Sequence, residues 1–168
     1  MSAATRALAA SLVALAAVAP AASIAQEATY AVRQLTPETA LKLARATLEA
    51  CRKEGFQVAV AVTDRAGVAQ VLLRDRFAGP HTVTTAVDKA WTAISFRQDT
   101  LAFARATADP AQSGVRHLPR VVAVGGGVPV EAGGATLGAV GVSGAPGGEA
   151  DDRCARKGIE AVREELEF

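Results

Sequence analysis

The chain of 168 residues carries 18 lysines and arginines against 17 aspartates and glutamates, which gives a formal charge of +1. Half of the residues are apolar and 21% are charged, a balance that excludes a disordered polyelectrolyte and disfavours nucleic-acid binding through bulk charge. The length predicts one domain. Because the apolar residues are mainly alanine and valine, backbones can pack closely, and we expect partner subunits to bury further surface.

The first 25 residues have the pattern of a secretory signal peptide. Arg6 supplies a positive charge, residues 8–18 form an apolar run too short to span a bilayer, and residues 23–25 suit a signal peptidase. We expect cleavage after Ala25 and a periplasmic or secreted protein, the alternative being an uncleaved membrane anchor. The mature chain would be formally neutral, which argues against nucleic-acid and membrane-surface partners.

Residues 26–35 are expected to form a flexible leader, and the single domain is expected to span residues 36–168. Thr36 suits a helix N-cap and Pro37 the first helical position, and apolar residues then recur at helical spacing until Gly55. Residues 56–63 and 68–73 alternate in a way that favours strands, and the turn at residues 64–67 joins them into a β-hairpin.

The second half of the chain predicts further helices and strands. Helices are expected at residues 82–97, 100–106 and 151–166, with an irregular stretch at 109–119. Residues 121–124, 128–130 and 135–142 favour strands joined by glycine-permitted bends. The order α-β-β-α-α-β-β-α indicates an α+β fold, in which helices flank an antiparallel sheet of about five strands.

The two cysteines, Cys51 and Cys154, are of interest because an exported protein meets an oxidising compartment. They could form a disulfide that closes a long loop, or remain as two unpaired small core residues. A metal-binding or catalytic role is a third alternative, although no CxxC motif or nearby histidine supports it.

Several familiar chemistries are disfavoured by spacing. The Gly125–127 run lacks a phosphate-loop pattern and leads into a strand instead of a helix, which argues against a nucleotide site. Ser143 lies among glycines, but the GxSxG spacing of a nucleophile elbow is missing and both histidines precede it. The sequence also lacks the clustered ligands of a zinc site.

The two histidines each lie near arginines. His81 opens a predicted helix close to Arg74 and Arg76, and His117 lies in the irregular stretch beside Arg116. Haem iron takes histidine as an axial ligand, and its propionates pair well with arginine. These residues are therefore candidates for a haem site.

Five short segments occur in a characteristic order: VAVTDRAG at residues 60–67, RFAG at 76–79, KAWTA at 89–93, GGGVPV at 125–130 and LGAVGVSG at 137–144. On these segments the chain resembles the GlcG/HbpS-like haem-binding family, which also includes the C-terminal domain of PduO-type proteins. The resemblance covers about residues 35–165. It implies a helix-flanked antiparallel sheet, dimers or larger rings, and binding of haem or a related tetrapyrrole in some members.

One segment departs from the family pattern Arg-Met-Asp-Gly-Ala. Here Phe77 replaces the methionine, Ala78 the aspartate and Pro80 the final alanine. The missing carboxylate puts in doubt any polar task of that segment, while His81 directly after it restores a candidate ligand.

The leading hypothesis is an exported small-molecule-binding protein that stores, carries or senses haem or a related tetrapyrrole without turnover. His81 or His117 would contact iron, Arg74, Arg76 and Arg116 would face propionates, and Lys89 with Gly125, Gly126 and Gly127 would shape the pocket. One alternative is an enzyme or accessory factor for a small carboxylate such as a 2-hydroxy acid, which Arg76 or Arg116 would bind while Lys89 or His81 exchanges a proton. Another is a structural module without a ligand.

Overall fold

The computed structural model describes residues 28–167, so the predicted signal peptide and its cleavage site lie outside the described residues. All helices and strands of the described residues fall within the unit Val32–Phe168. In chain order they are α1 (Pro37–Lys53), β1 (Ala59–Asp64), β2 (Ala69–Arg74), α2 (His81–Phe96), α3 (Thr100–Ala106), a 3₁₀ helix (Ser113–His117), β3 (Gly127–Ala132), β4 (Ala135–Ser143), α4 (Gly148–Glu160) and α5 (Arg163–Leu166). The predicted α+β class and the flanked antiparallel sheet are confirmed.

The sheet has four strands in the order β2-β1-β4-β3, and every neighbouring pair is antiparallel. The predicted number of about five strands is one too high, because residues 121–124 do not join the sheet. The N–H of Val122 donates to Thr92 Oγ1 on α2, and Thr92 also donates to the carbonyl of Arg120. This segment is thus held against a helix side chain and not against a neighbouring strand.

Local signals place the first half of the fold. The Thr36 hydroxyl accepts the N–H of Thr39 at the start of α1. In the β1–β2 turn, Asp64 Oδ1 accepts the N–H groups of Ala66 and Val68, which closes the predicted hairpin. Leu35, the last residue of the predicted leader, is buried, and its N–H donates to the carbonyl of Leu137.

The predicted C-terminal helix is two helices. The first, α4, begins at Gly148, three residues before the predicted start, and ends at Glu160. Val162 then leaves helical geometry with φ −114° and its side chain is buried in the core, after which α5 begins at Arg163. The interruption lets an apolar side chain reach the core from the end of the chain.

The sheet separates two layers of different chemistry. One face carries valines from all four strands and packs against α1 and α4. The buried members of this core include Leu43, Leu48, Val60, Val62, Val128, Val130, Val140, Val142 and Ala155. The opposite face presents small residues, Ala59, Ala61, Ala139 and Gly141, to α2. Because side chains alternate along a strand, one face of the sheet carries the bulkier valines and the other lets a helix backbone approach closely.

A disulfide joins Cys51 on α1 to Cys154 on α4, with Cα atoms 5.3 Å apart. The structure thus contains the disulfide, which is one of the three alternatives that the sequence leaves open. It connects the two helices that cover the valine face, 103 residues apart in the chain.

We expect Gly141→Ala to lower the free energy of unfolding by about 2 kcal/mol or more, because its Cβ would overlap the carbonyl oxygen of Ala86 on α2. Gly114→Ala is the matched control, since nothing lies within 4 Å of the added methyl group. Urea unfolding followed by circular dichroism measures both. Equal stability of the two variants would contradict the close packing of α2.

Reduction of the Cys51–Cys154 bridge is expected to cost about 4 kcal/mol, because a cross-link that closes so long a loop restricts the unfolded chain. Urea unfolding with and without reductant gives this difference. A Cys51→Ala/Cys154→Ala variant should be insensitive to the reductant. A thiol titration of unreduced, denatured protein that finds two free thiols would refute the bridge.

Candidate functional site

A cleft of about 380 Å³ lies where α2 begins, beside the end of β4 and the start of α4. Its lining residues come from the segment before α2 and its first turns, from residues 122–124, and from the β4–α4 connection. They are Gln57, Phe77, Gly79, His81, Thr82, Thr85, Lys89, Val122, Val124, Ser143, Gly144, Ala145, Gly147, Gly148 and Asp151. The cleft combines an apolar rim with polar groups deeper in the wall.

His81 is the predicted site residue that the fold brings to the cleft mouth. It is the first residue of α2 and is exposed. A Cβ on Gly79 would lie 2.8 Å from its Cε1 and 3.0 Å from its Nδ1, so the glycine leaves room for the ring. Among the described residues no hydrogen bond or ion pair engages the imidazole, which is therefore available to a ligand.

Phe77 and the neighbouring arginines form the rim. The Phe77 side chain is 78% exposed although it is aromatic. The guanidinium of Arg76 lies 5.9 Å from the centre of that ring. Arg74 donates to the carbonyl of Ala78, so it stabilises the turn that carries Phe77. Arg76 therefore lies near the cleft because it contacts Phe77. Arg74 instead uses its guanidinium to hydrogen-bond within the rim.

Lys89 forms a buried ion pair at the back of the cleft. Its Nζ lies 2.7 Å from Asp151 Oδ2 and donates to the Val142 carbonyl at 3.0 Å. Lys89 is 2% exposed and Asp151 3%. Burial raises the pKa of Asp151, and the Lys89 ammonium and the N–H of Ala145 oppose that rise. The lysine is occupied by its partner, which argues against its predicted alternative role in proton exchange.

The three predicted glycines lie behind the cleft and do not line it. A Cβ on Gly126, whose φ is +117°, would lie 2.7 Å from Asp151 Cβ and 3.1 Å from Lys89 Nζ. A Cβ on Gly125 would lie 2.7 Å from the Gly148 carbonyl oxygen, and one on Gly127 would overlap the Lys89 carbonyl. The glycines therefore shape the site indirectly, by letting this segment pass between α2 and α4.

His117 and Arg116 lie elsewhere. His117 ends the 3₁₀ helix, is exposed, and does not line the cleft. Arg116 donates to Thr107 Oγ1 at 2.8 Å and to the Ala104 carbonyl, so it ties the 3₁₀ helix to α3. The structure thus does not bring the two histidines together, and it engages Arg116 in internal contacts.

Sequence reasoning missed two residues of the cleft. Asp151 is only the first residue of a predicted helix in the sequence, yet the structure pairs it with Lys89, 62 positions away. Ser143 was considered only as a nucleophile, yet it lies buried in the cleft wall. Strand alternation along β4 could have placed Ser143 on the small-residue face with Gly141, but no local signal pairs Asp151 with Lys89.

Residues 28–167 contain no group of three or more histidine, cysteine or acidic side chains that could hold a metal ion. Within the same residues, no helix has the length and apolar character needed to cross a membrane.

We expect Lys89→Met to destabilise the protein by about 3–5 kcal/mol, because it leaves Asp151 buried without its partner. The double variant Lys89→Met/Asp151→Asn should recover most of that loss, since no unpaired charge remains. Lys157→Met, which removes an exposed partner of Glu54, is the control and should cost less than about 1 kcal/mol. Urea unfolding measures all three. A double variant as unstable as the sum of the two single variants would contradict coupling of the pair.

Known structures share this fold. The chain is similar to a double mutant of Streptomyces reticuli HbpS, with 40% identity over 87% of this chain and 98% of that chain and a TM-score of 0.76. It is similar to Klebsiella pneumoniae protein ORFY at 26% identity, over 82% and 97% of the two chains, with a TM-score of 0.78. The haem complex of PduOC is 29% identical, over 76% and 94% of the two chains, with a TM-score of 0.71.

No curated protein matches the chain. The family model described as "Haem degrading protein HbpS-like" matches residues 35–160. That range begins at the buried Leu35 and ends with the last residue of α4, so it contains the whole sheet and the cleft. The chain therefore belongs to the HbpS-like family.

Proposed function

We propose that this protein binds haem or a related tetrapyrrole in the cleft, with His81 as the axial ligand. The observation that carries the proposal is an imidazole without a partner among the described residues, placed beside the apolar side chains Phe77, Val122 and Val124. A flat macrocycle needs an apolar surface for its body and a nitrogen donor for its iron. The similarity to the PduOC haem complex supports the same ligand class.

The residues present fit such a group. Phe77 offers an exposed aromatic face, His81 offers the donor, and Arg76 places a cation next to the ring. Bound haem would supply an iron centre that the imidazole ligates. The chain's own residues would hold and orient the macrocycle and shield one side of it from water.

The finer proposal is a role in storage, carriage or sensing outside the cytoplasm. The Cys51–Cys154 disulfide supports export, because such bridges persist in oxidising compartments and are rare in reducing ones. The pattern of residues 1–25 supports it independently. We assign no catalytic step to the cleft, since Lys89 and Asp151 are occupied by each other.

Hemin titration tests the proposal. The wild-type protein should shift the Soret band, and His81→Ala should weaken hemin binding by about tenfold or more because iron loses its protein ligand. His117→Ala is the matched control, an exposed histidine away from the cleft, and should bind as the wild type does.

Absorbance spectra and a binding isotherm give both quantities. If the wild-type spectrum does not change on addition of hemin, the haem proposal falls. If His117→Ala loses the shift and His81→Ala keeps it, the ligand assignment is wrong while haem binding stands.

A further inference from the structure

Two helices begin at the wall of the cleft. His81 and Thr82 of α2 line it from one side, and Gly148 of α4 lines it from the other. The helices have 16 and 13 residues, long enough to carry a partial positive charge at their N-termini. Two such N-termini facing one cleft create an electropositive region without any free cationic side chain.

Neither N-terminus is capped from within the described residues. Pro80 and Gly147 occupy the two N-cap positions and provide no side-chain acceptor. No described residue accepts the N–H of His81 or of Gly148. Asp151, in the first turn of α4, accepts instead from Lys89 and Ala145. The helix starts therefore keep N–H donors for an external acceptor.

Ser143 is an independent sign of a ligand. It is only 5% exposed, it lines the cleft, and its hydroxyl makes no hydrogen bond to any described residue. It follows Val142, whose side chain lies in the valine core, so strand alternation turns Ser143 toward α2 and the cleft. The side chain is therefore largely buried while its hydroxyl is free to bond, and an acceptor atom in the cleft would receive that hydrogen bond.

The charge of the site favours a monoanion. Lys89 is neutralised by Asp151, so the net attraction comes from the two helix N-termini and from hydrogen-bond donors. The Lys89 ammonium is already paired with Asp151 and is not free to balance a second negative charge on the ligand.

We propose that Ser143 and the N-termini of α2 and α4 form a subsite for a carboxylate group. The carboxylate has two possible sources, the propionate of a tetrapyrrole or a small free organic acid. The subsite uses the cleft of the proposed function and, in the first case, rests on it. It requires no iron.

Metal-free protoporphyrin IX and its dimethyl ester test the first source with the purified protein. The ester keeps the macrocycle and lacks both carboxylates. The diacid should bind about tenfold more tightly than the ester, as fluorescence titration measures, because only the diacid can accept these hydrogen bonds. Ser143→Ala should reduce that preference at least threefold, as expected for one lost hydrogen bond. Ser95→Ala, an exposed serine on α2 outside the cleft, should leave the preference unchanged.

Acetate tests the second source. Titration of ¹⁵N-labelled protein with acetate should shift the amide signals of His81 and Gly148, and Ser143→Ala should weaken the response. Inorganic phosphate is the comparison, and a stronger response to phosphate than to acetate would overturn the choice of carboxylate.

The outcomes separate this proposal from haem binding. Equal binding of diacid and ester together with silent amides in acetate overturns the subsite, even if hemin binds. A preference for the diacid, or an acetate response, that Ser143→Ala leaves unchanged also overturns it. Failure of all porphyrins with an acetate response at the two helix starts removes the haem proposal and supports the subsite. A diacid preference without an acetate response assigns the carboxylate to the tetrapyrrole.

Discussion

The close approach of α2 to the sheet is the constraint on which the rest of the structure depends. The Ala86 carbonyl occupies the space where Gly141 would carry a side chain, and the Lys89 carbonyl does the same at Gly127. Helix backbone therefore rests on strand backbone, with mainly alanines and glycines between them. A helix at this distance leaves little room for a long charged side chain on its inner face except where a polar partner receives it. Lys89 is that exception, because the Val142 carbonyl and Asp151 receive it.

The opposite face fixes where α4 begins. The disulfide ties Cys154 to α1, and one turn later Gly158 packs so closely on Thr47 that a Cβ there would overlap the threonine side chain. These two contacts, on successive turns of α4, set its position along α1. The first turn of α4 consequently extends past the sheet, where its Asp151 pairs with Lys89 on α2. The valine core and the small-residue face are thus linked through one helix, and the cleft lies where they meet.

The sequence was most informative where structure is local. The N-cap at Thr36, the Asp64 turn and the bounds of α3 follow from residues adjacent in the chain, and the structure confirms each. Residues 121–124 have the composition of a strand, and only the tertiary bond from Val122 to Thr92 excludes them from the sheet.

The candidate site could be predicted only in part, because its residues meet through long-range contacts. His81 was found because it follows Gly79 and Pro80 and opens a helix, both visible in the sequence. His117 has similar neighbours, so no local rule separates the two histidines. Asp151 is a residue type that is usually solvated, and only the fold shows that it is buried against Lys89.

The two ends of the cleft differ in how they respond to solvent, and this bears on ligand capture. Arg76 and Phe77 lie at the exposed rim, where salt screens charge and where the proposed ligand would first arrive. Ser143 and Lys89 lie in the buried wall, where hydrogen bonds are little screened and the formal charge is already balanced. Attraction at the rim is therefore expected to affect mainly the rate of association, and the wall mainly the orientation of a bound acid. A neutral pair at the back of the cleft also means that an empty site leaves no buried charge without its partner in that wall.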